Sequence, residues 1–143
     1  SRVQPRTPLC PPGEYTMPAC SSVCGNAGYP TPYAADKVRA KSMITIGHYP
    51  PSLVQTELMA HGPVSTLITV FEDFLHYSSG VYKHLEGSEV GSHAVEVVGW
   101  GVEAGEPYWL VKNSWGSSWG LGGFVKIGNG EIGIENSWTA GYV

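Results

Sequence analysis

The stretch Pro107-Tyr108-Trp109-Leu110-Val111-Lys112-Asn113-Ser114-Trp115-Gly116, read together with Gly91-Ser92-His93-Ala94-Val95, decides the fold of this chain. From His93 to Trp100 the apolar residues alternate around Val95, Val97 and Val98, the pattern of a buried strand. Tyr108 to Val111 has the aromatic and β-branched composition of a second strand. Only Glu103-Ala104-Gly105-Glu106 separates the two, so the spacing predicts an antiparallel hairpin. Asn113 then stands at the end of one strand and His93 at the start of its neighbour, where the side chains can meet across the pair.

Outward from this hairpin, Val64 to Val70 reads as a third strand and Phe71 to Tyr77 as a helical turn. Ser52 to Met59 reads as a short amphipathic helix, with Ser52 as N-cap, Leu53, Val54, Leu58 and Met59 apolar, and Gly62-Pro63 as its stop. Gly123 to Ile127 and Ile132 to Ile134 are expected as short strands around an Asn129-Gly130 turn. Residues 1–35 carry seven prolines, which remove donors and block regular structure, so this segment is expected to be irregular. The expected organisation is α+β, with an irregular segment at 1–35 and an antiparallel barrel or sandwich with one short helix over 36–143.

A chain of 143 residues with 42% hydrophobic and 14% charged residues is long and apolar enough to build a core, and its composition argues against disorder. The net charge of −4 leaves no basic footprint for nucleic acid. No apolar run approaches the length of a membrane span, so the chain is expected to be soluble and without a membrane partner. It begins at Ser1 with no signal-peptide pattern, as expected for a processed chain or part of a longer product.

All three cysteines, Cys10, Cys20 and Cys24, fall in the first 24 residues among prolines and small polar residues. That setting suits a disulfide-stapled loop of an oxidising compartment. The odd count fits bridges to cysteines on another segment, or a local Cys10–Cys20 bridge that leaves Cys24 free. Cys20-x3-Cys24 lacks a companion Cys/His pair at zinc spacing, so no metal is expected, and no feature calls for a cofactor.

The chemistry rests on His93 and Asn113. An imidazole can take a thiol's proton, and the resulting thiolate–imidazolium pair is a strong nucleophile. An amide oxygen can hold the ring in one orientation without adding a full negative charge. Trp115 could roof that hydrogen bond and keep water from it. Taken singly, His93 could be a structural core residue and Asn113 a turn residue. Their joint setting favours the catalytic reading.

Gly91-Ser92-His93-Ala94-Val95, Gly99-Trp100-Gly101, Asn113-Ser114-Trp115-Gly116-x-x-Trp119-Gly120 and Gly123-Phe124 together resemble the papain family of cysteine proteases. Within it the chain looks closest to the cathepsin B group, through Gly62-Pro63-Val64, Tyr77-x-x-Gly80-Val81-Tyr82, Gly133-Ile134-Glu135 and Cys20-x3-Cys24 followed by Gly28-Tyr29. The resemblance implies a two-domain thiol protease in which this chain supplies the C-terminal, heavy-chain part: the β-barrel right domain carrying the catalytic His93 and Asn113. The nucleophilic Cys and the oxyanion-hole Gln belong to the family's N-terminal half, so a separate upstream light chain is implied as partner. The isolated chain is therefore expected to be inactive.

Under the same resemblance Ser1 to Cys10 matches the far side of an occluding loop, and Cys10, Cys20 and Cys24 all bridge to the upstream chain. The paired histidines of that loop are not among the residues here, so exopeptidase activity is not implied. Leu67, Ala94 and Ser137 are expected to wall the second subsite, beside Ser92. Leu67 stands where the group tends to have a small residue, and Ser137 where it has an acid. The implied pocket is shallow and uncharged, and accepts arginine poorly unless Glu135 reaches in. Val70, Leu75, Val90 and Trp115 match an apolar wall on the primed side, with simple core packing as the equal alternative. Ile132 replaces a cysteine of the group and is expected to be neutral packing, while His48, His61, His76 and His84 carry no motif. The family further implies a lysosomal or secreted zymogen that meets a propeptide, peptide substrates and cystatin-like inhibitors. Two other readings are a non-catalytic cathepsin-like binding or matrix protein with its nucleophile replaced, and a stand-alone structural half-domain.

Overall fold

The structure is a computed structural model that describes residues 19–47 and 49–142; Cys10 and His48 lie outside the described residues. The chain divides into two units, Ser1–Val38 and Arg39–Val143. Residues 19–38 of the first hold no helix or strand. Local bonds shape them: Asn26 Oδ1 accepts from the Gly28 N–H at 3.0 Å, and the Tyr29 hydroxyl donates to Asp36 at 2.9 Å.

The second unit is a seven-stranded sheet and one α-helix. In chain order its elements are β1 (Ser42–Ile46), α1 (Pro51–His61), β2 (Val64–Phe71), a 3-10 turn (Asp73–His76), β3 (Val81–Tyr82), β4 (Glu89–Glu103), β5 (Glu106–Lys112), β6 (Phe124–Gly128), a second 3-10 turn (Glu131–Gly133) and β7 (Trp138–Tyr142). The strand order is β1-β7-β2-β4-β5-β6-β3, antiparallel throughout except for the parallel β3–β6 pair. This corrects the expected barrel. The terminal strands β1 and β3 pair with β7 and β6, not with each other, so the sheet stays open.

The expected hairpin is present, with β4 longer than its alternating core. Ala104 (φ 51°) and Gly105 (φ 86°) are both left-handed, as the tight two-residue turn between twisted strands demands. The helix differs from expectation at its start. Pro50 caps it in an extended conformation, Pro51 occupies the first turn, and no side chain caps it, so Ser52 is not the N-cap. Its stop is as read: Gly62 takes φ 101°, and its N–H reaches Leu58 O at 3.2 Å. Val54 is fully buried and Leu58 partly so, while Leu53 and Met59 lie off that line and stay exposed. The strand expected at Ile132–Ile134 is instead a 3-10 turn, because Gly130, Ile132 and Gly133 all take positive φ.

Val64, Ile68, Val95, Val97, Trp109, Val111, Val125 and Ile127 share one face of the sheet and form the core with Val54, Phe74, Ile134 and Trp138. Burial of such side chains stabilises by about 1.5–3 kcal/mol each. The opposite face of β2 and β4, carrying Ser65, Leu67 and Ala94, remains exposed. Among the described residues no helix is long and apolar enough to cross a membrane.

Candidate active site

Strand register brings His93 and Asn113 together. Glu96 pairs directly with Lys112, and the two form an outward salt bridge at 3.1 Å. Asn113, one residue past Lys112, therefore turns to the inward face of Val95, which His93 shares two residues earlier. At that point Asn113 leaves the β4 ladder, its N–H donating to Gly123 O at 2.9 Å. A bulge at Val98 shifts the β4–β5 register along the way.

His93 Nε2 and Asn113 Oδ1 lie 2.9 Å apart. An amide oxygen only accepts, so Nε2 carries the proton and donates it. The Ser114 N–H also donates to Oδ1, at 2.8 Å, which fixes the amide the same way round. Nδ1 is thereby the basic nitrogen, and it has no protein partner among the described residues. Trp115 stacks on the imidazole with ring centroids 5.2 Å apart and planes 24° from parallel. Trp115 is buttressed by Phe74 at 5.6 Å and Trp119 at 5.0 Å, and the Trp119 indole N–H donates to Leu75 O at 3.0 Å. Asn113 is only 9% exposed, and its Nδ2 finds no hydrogen-bond partner among the described residues. Such an orphan costs about 1–3 kcal/mol, a cost that catalytic sites commonly carry.

The other expected site residues separate into groups. Leu67, Ala94 and Ser137 line one concavity of about 250 Å³, with Ser65 and Thr139 completing its walls. Ser92 lines a neighbouring concavity of about 190 Å³. Leu75 and Val90 are exposed, and Val90 is an extra residue that a second bulge leaves out of the β2–β4 register. Val70, by contrast, is 5% exposed and belongs to the core, so its side chain offers little surface to a ligand. Glu135 does not enter the first concavity's lining; it accepts from the Trp109 indole N–H at 2.8 Å. Cys20 is exposed and Cys24 half-buried, and both are free thiols here. Among the described residues no cluster could hold a metal ion.

The comparisons with known proteins meet this geometry directly. The family model for papain family cysteine proteases matches residues 15–142. The chain belongs to the papain family of cysteine proteases. Among curated relatives of this papain-family chain, cathepsin B-like cysteine proteinase 4 of Caenorhabditis elegans is 44% identical over 94% of the chain and 40% of its own length. The gut-specific cysteine proteinase of the same organism is 47% identical over 92% of the chain, again 40% of its own length. The solved procathepsin B S9 of Trypanosoma congolense superposes with a TM-score of 0.79 at 35% identity, over 90% of this chain and 43% of that one. The papain-like fold and the cathepsin B-like grouping thus agree with the motifs. The chain spans about 40% of the length of the curated relatives it matches.

Several residues that shape the site were not singled out in the sequence. Thr66 is buried at 3% exposure, and its hydroxyl donates to Ile134 O at 2.8 Å. Thr69 and Asn136 line the smaller concavity beside Ser92. A threonine between apolar residues of a strand was the available signal for Thr66; nothing local marks the other two.

Proposed function

We propose that this chain is the His- and Asn-bearing part of a cathepsin B-like cysteine endopeptidase. Its nucleophilic cysteine sits on upstream polypeptide, with residues 36–143 as the functional domain and 1–35 as a disulfide-linked segment. The observation that carries the reading is the 2.9 Å contact of His93 Nε2 with Asn113 Oδ1, which leaves Nδ1 free beneath Trp115.

In this reading His93 Nδ1 takes the proton of the upstream thiol, and the thiolate adds to the scissile carbonyl carbon. The imidazolium then gives its proton to the departing amine as the C–N bond breaks and a thioester remains. Nδ1 next takes a proton from water, whose oxygen displaces the thiolate and releases the acid. Asn113 keeps the ring in line through both halves, and Trp115 shields that hydrogen bond from competing water. Leu67, Ala94 and Ser137 receive the substrate side chain two residues before the cut. Leu75, Val90 and Trp115 line the side beyond it. Cys10, Cys20 and Cys24 bridge to the upstream chain, and a propeptide and cystatin-like inhibitors occupy the same cleft. The setting is lysosomal or secreted, where such bridges persist.

The test uses the full-length enzyme. His93→Ala is expected to cut kcat/KM by about 10³-fold or more, since it removes both proton transfers. Asn113→Ala is expected to cost roughly 10²-fold through loss of orientation. Activity that survives His93→Ala would refute the assignment. A wild-type enzyme with no turnover would instead favour the non-catalytic binding protein.

A further inference from the structure

Residues 37–40 hold no helix or strand, and Lys37, Val38, Arg39 and Ala40 are all exposed, Val38 at 90%. Backbone bonds bound the stretch on both sides. Before it, the Asp36 N–H donates to Pro32 O at 3.1 Å; after it, the Lys41 N–H donates to Tyr142 O at 2.7 Å. Arg39 is the first residue of the second unit, so the backbone from the cysteine-bearing segment to His93 runs through its bonds. A peptidase takes its substrate as an extended strand whose main-chain groups are free to pair, which is the form this stretch presents. β1, which follows, is a terminal strand held on one side only, so its start can fray to fill the rest of a peptidase cleft.

The bonds that follow lysine or arginine among the described residues come after Lys37, Arg39, Lys41, Lys83, Lys112 and Lys126. Lys112 and Lys126 lie in β5 and β6, paired with a strand on either side, and their ammonium groups are tied to Glu96 and Glu103. After Lys83 the N–H groups of His84, Leu85 and Glu86 donate to Glu131 or Asp73, at 3.3, 2.9 and 3.3 Å. Lys41 is already bonded to β7 through its N–H. Lys37 follows Asp36, which an acidic specificity pocket repels, and its ammonium sits 4.2 Å over the Tyr33 ring. Arg39 has neither a main-chain nor a side-chain partner among the described residues, and it precedes the small Ala40.

We infer that Arg39–Ala40 is a control site, hydrolysed by an endopeptidase that cuts after basic residues. Water adds across the amide, so Arg39 keeps a carboxylate and Ala40 gains a free amine. The cut spares β1, the β4–β5 hairpin and the His93–Asn113 pair, which all lie after it. Cys10, Cys20 and Cys24 all lie before it. The consequence rests on the peptidase reading: the cut severs the His93 unit from the segment bridged to the thiol-bearing chain. Catalysis then depends on non-covalent association, and so on dilution.

The test is digestion of the native full-length protein with a trace of trypsin, which is then blocked. New N-termini and peptide turnover at high and low protein concentration are read. The Ala40 terminus is expected to appear at least about 10-fold faster than those at His84, Asn113 and Ile127, whose bonds are held in structure. Turnover of the cut enzyme should fall on dilution, while that of the uncut enzyme does not. Arg39→Gln is expected to abolish the Ala40 terminus and slow cutting within 37–41 by about 10-fold, with turnover of the uncut protein unchanged. Its fold is safe, because the Arg39 side chain is exposed. Earlier termini at His84, Asn113 or Ile127 in an active enzyme would overturn the site and leave the peptidase reading. An Ala40 terminus in a protein with no turnover before digestion would do the reverse. Undiminished turnover of the cut enzyme on dilution would overturn the control role.

Discussion

Asp73 begins the 3-10 turn that carries Phe74 and Leu75, and it gathers hydrogen bonds from one loop. Its carboxylate accepts from the Tyr82 hydroxyl at 2.7 Å, the Leu85 N–H at 2.9 Å, His84 Nδ1 at 3.2 Å and the Glu86 N–H at 3.3 Å. Partial burial opposes its charge, but these donors outweigh the burial and hold the carboxyl well below the usual carboxylate range. His84 is in turn stacked on Phe71, with centroids 3.7 Å apart. The cluster matters to the site because Phe74 packs on both Trp115 and Trp119, so it steadies the roof over His93. A carboxyl whose folded pKa is depressed adds stability that is complete above its unfolded pKa, about 3.9, and is lost as pH falls through the folded value. Asp73→Asn is therefore expected to lower unfolding free energy by about 1–3 kcal/mol near neutrality and equally at about pH 5. The gap to wild type should close only below about pH 4. Urea unfolding of the full-length protein across this range measures it; a gap that already closes by pH 5 would show that Asp73 is not the group responsible.

At the scale of elements, the β4–β5 hairpin was legible because its strands alternate and only four residues link their cores. Its turn holds a mismatch: Ala104 sits at φ 51°, where an L-residue with a Cβ is strained and Asn is better tolerated. Ala104→Asn creates the Asn-Gly pair that such turns favour and is expected to stabilise by about 0.5–1 kcal/mol, read as a raised thermal midpoint. An unchanged or lowered midpoint would mean that the turn already accommodates alanine without strain. The elements that went unread fail for a shared reason. β3 is two residues long, and β7, Trp138-Thr139-Ala140-Gly141-Tyr142, has its strand formers interrupted by Ala140-Gly141 and is held by pairing with β1 and β2. The Ile132 turn read as a strand because its apolar residues carry no sign of the positive φ that tertiary bonds impose. Of the site, the His93–Asn113 pair was readable from motif and register together. The concavity beside Ile132 was not, since Thr69 reaches it through the β2–β4 register and Asn136 through the folded path of 131–137.

Across the whole molecule, the open sheet leaves Leu67, Leu75 and Val90 exposed, while Trp115 and Trp119 are half-buried, in a chain spanning about 40% of its curated relatives' length. In the proposed reading the upstream polypeptide supplies the facing wall of the cleft that these residues line, and peptide rather than permanent protein contact fills it. Cys20 and Cys24 are free within the described residues, while the proposed bridges would join them to cysteines outside this sequence. Such bridges would keep the two chains together at a high effective concentration, so that association no longer depends on dilution. The expected result of a non-reducing digest of the native protein is Cys20- and Cys24-containing peptides linked to peptides from beyond this sequence. Reduction followed by separation should then abolish peptidase activity, because Nδ1 of His93 would lose the thiol it serves. Alkylation of both cysteines without reductant would remove the covalent link from the proposal. It would leave the His93–Asn113 geometry untouched, since that geometry is set by the β4–β5 register and the Gly123 and Ser114 backbone, none of which involves a cysteine.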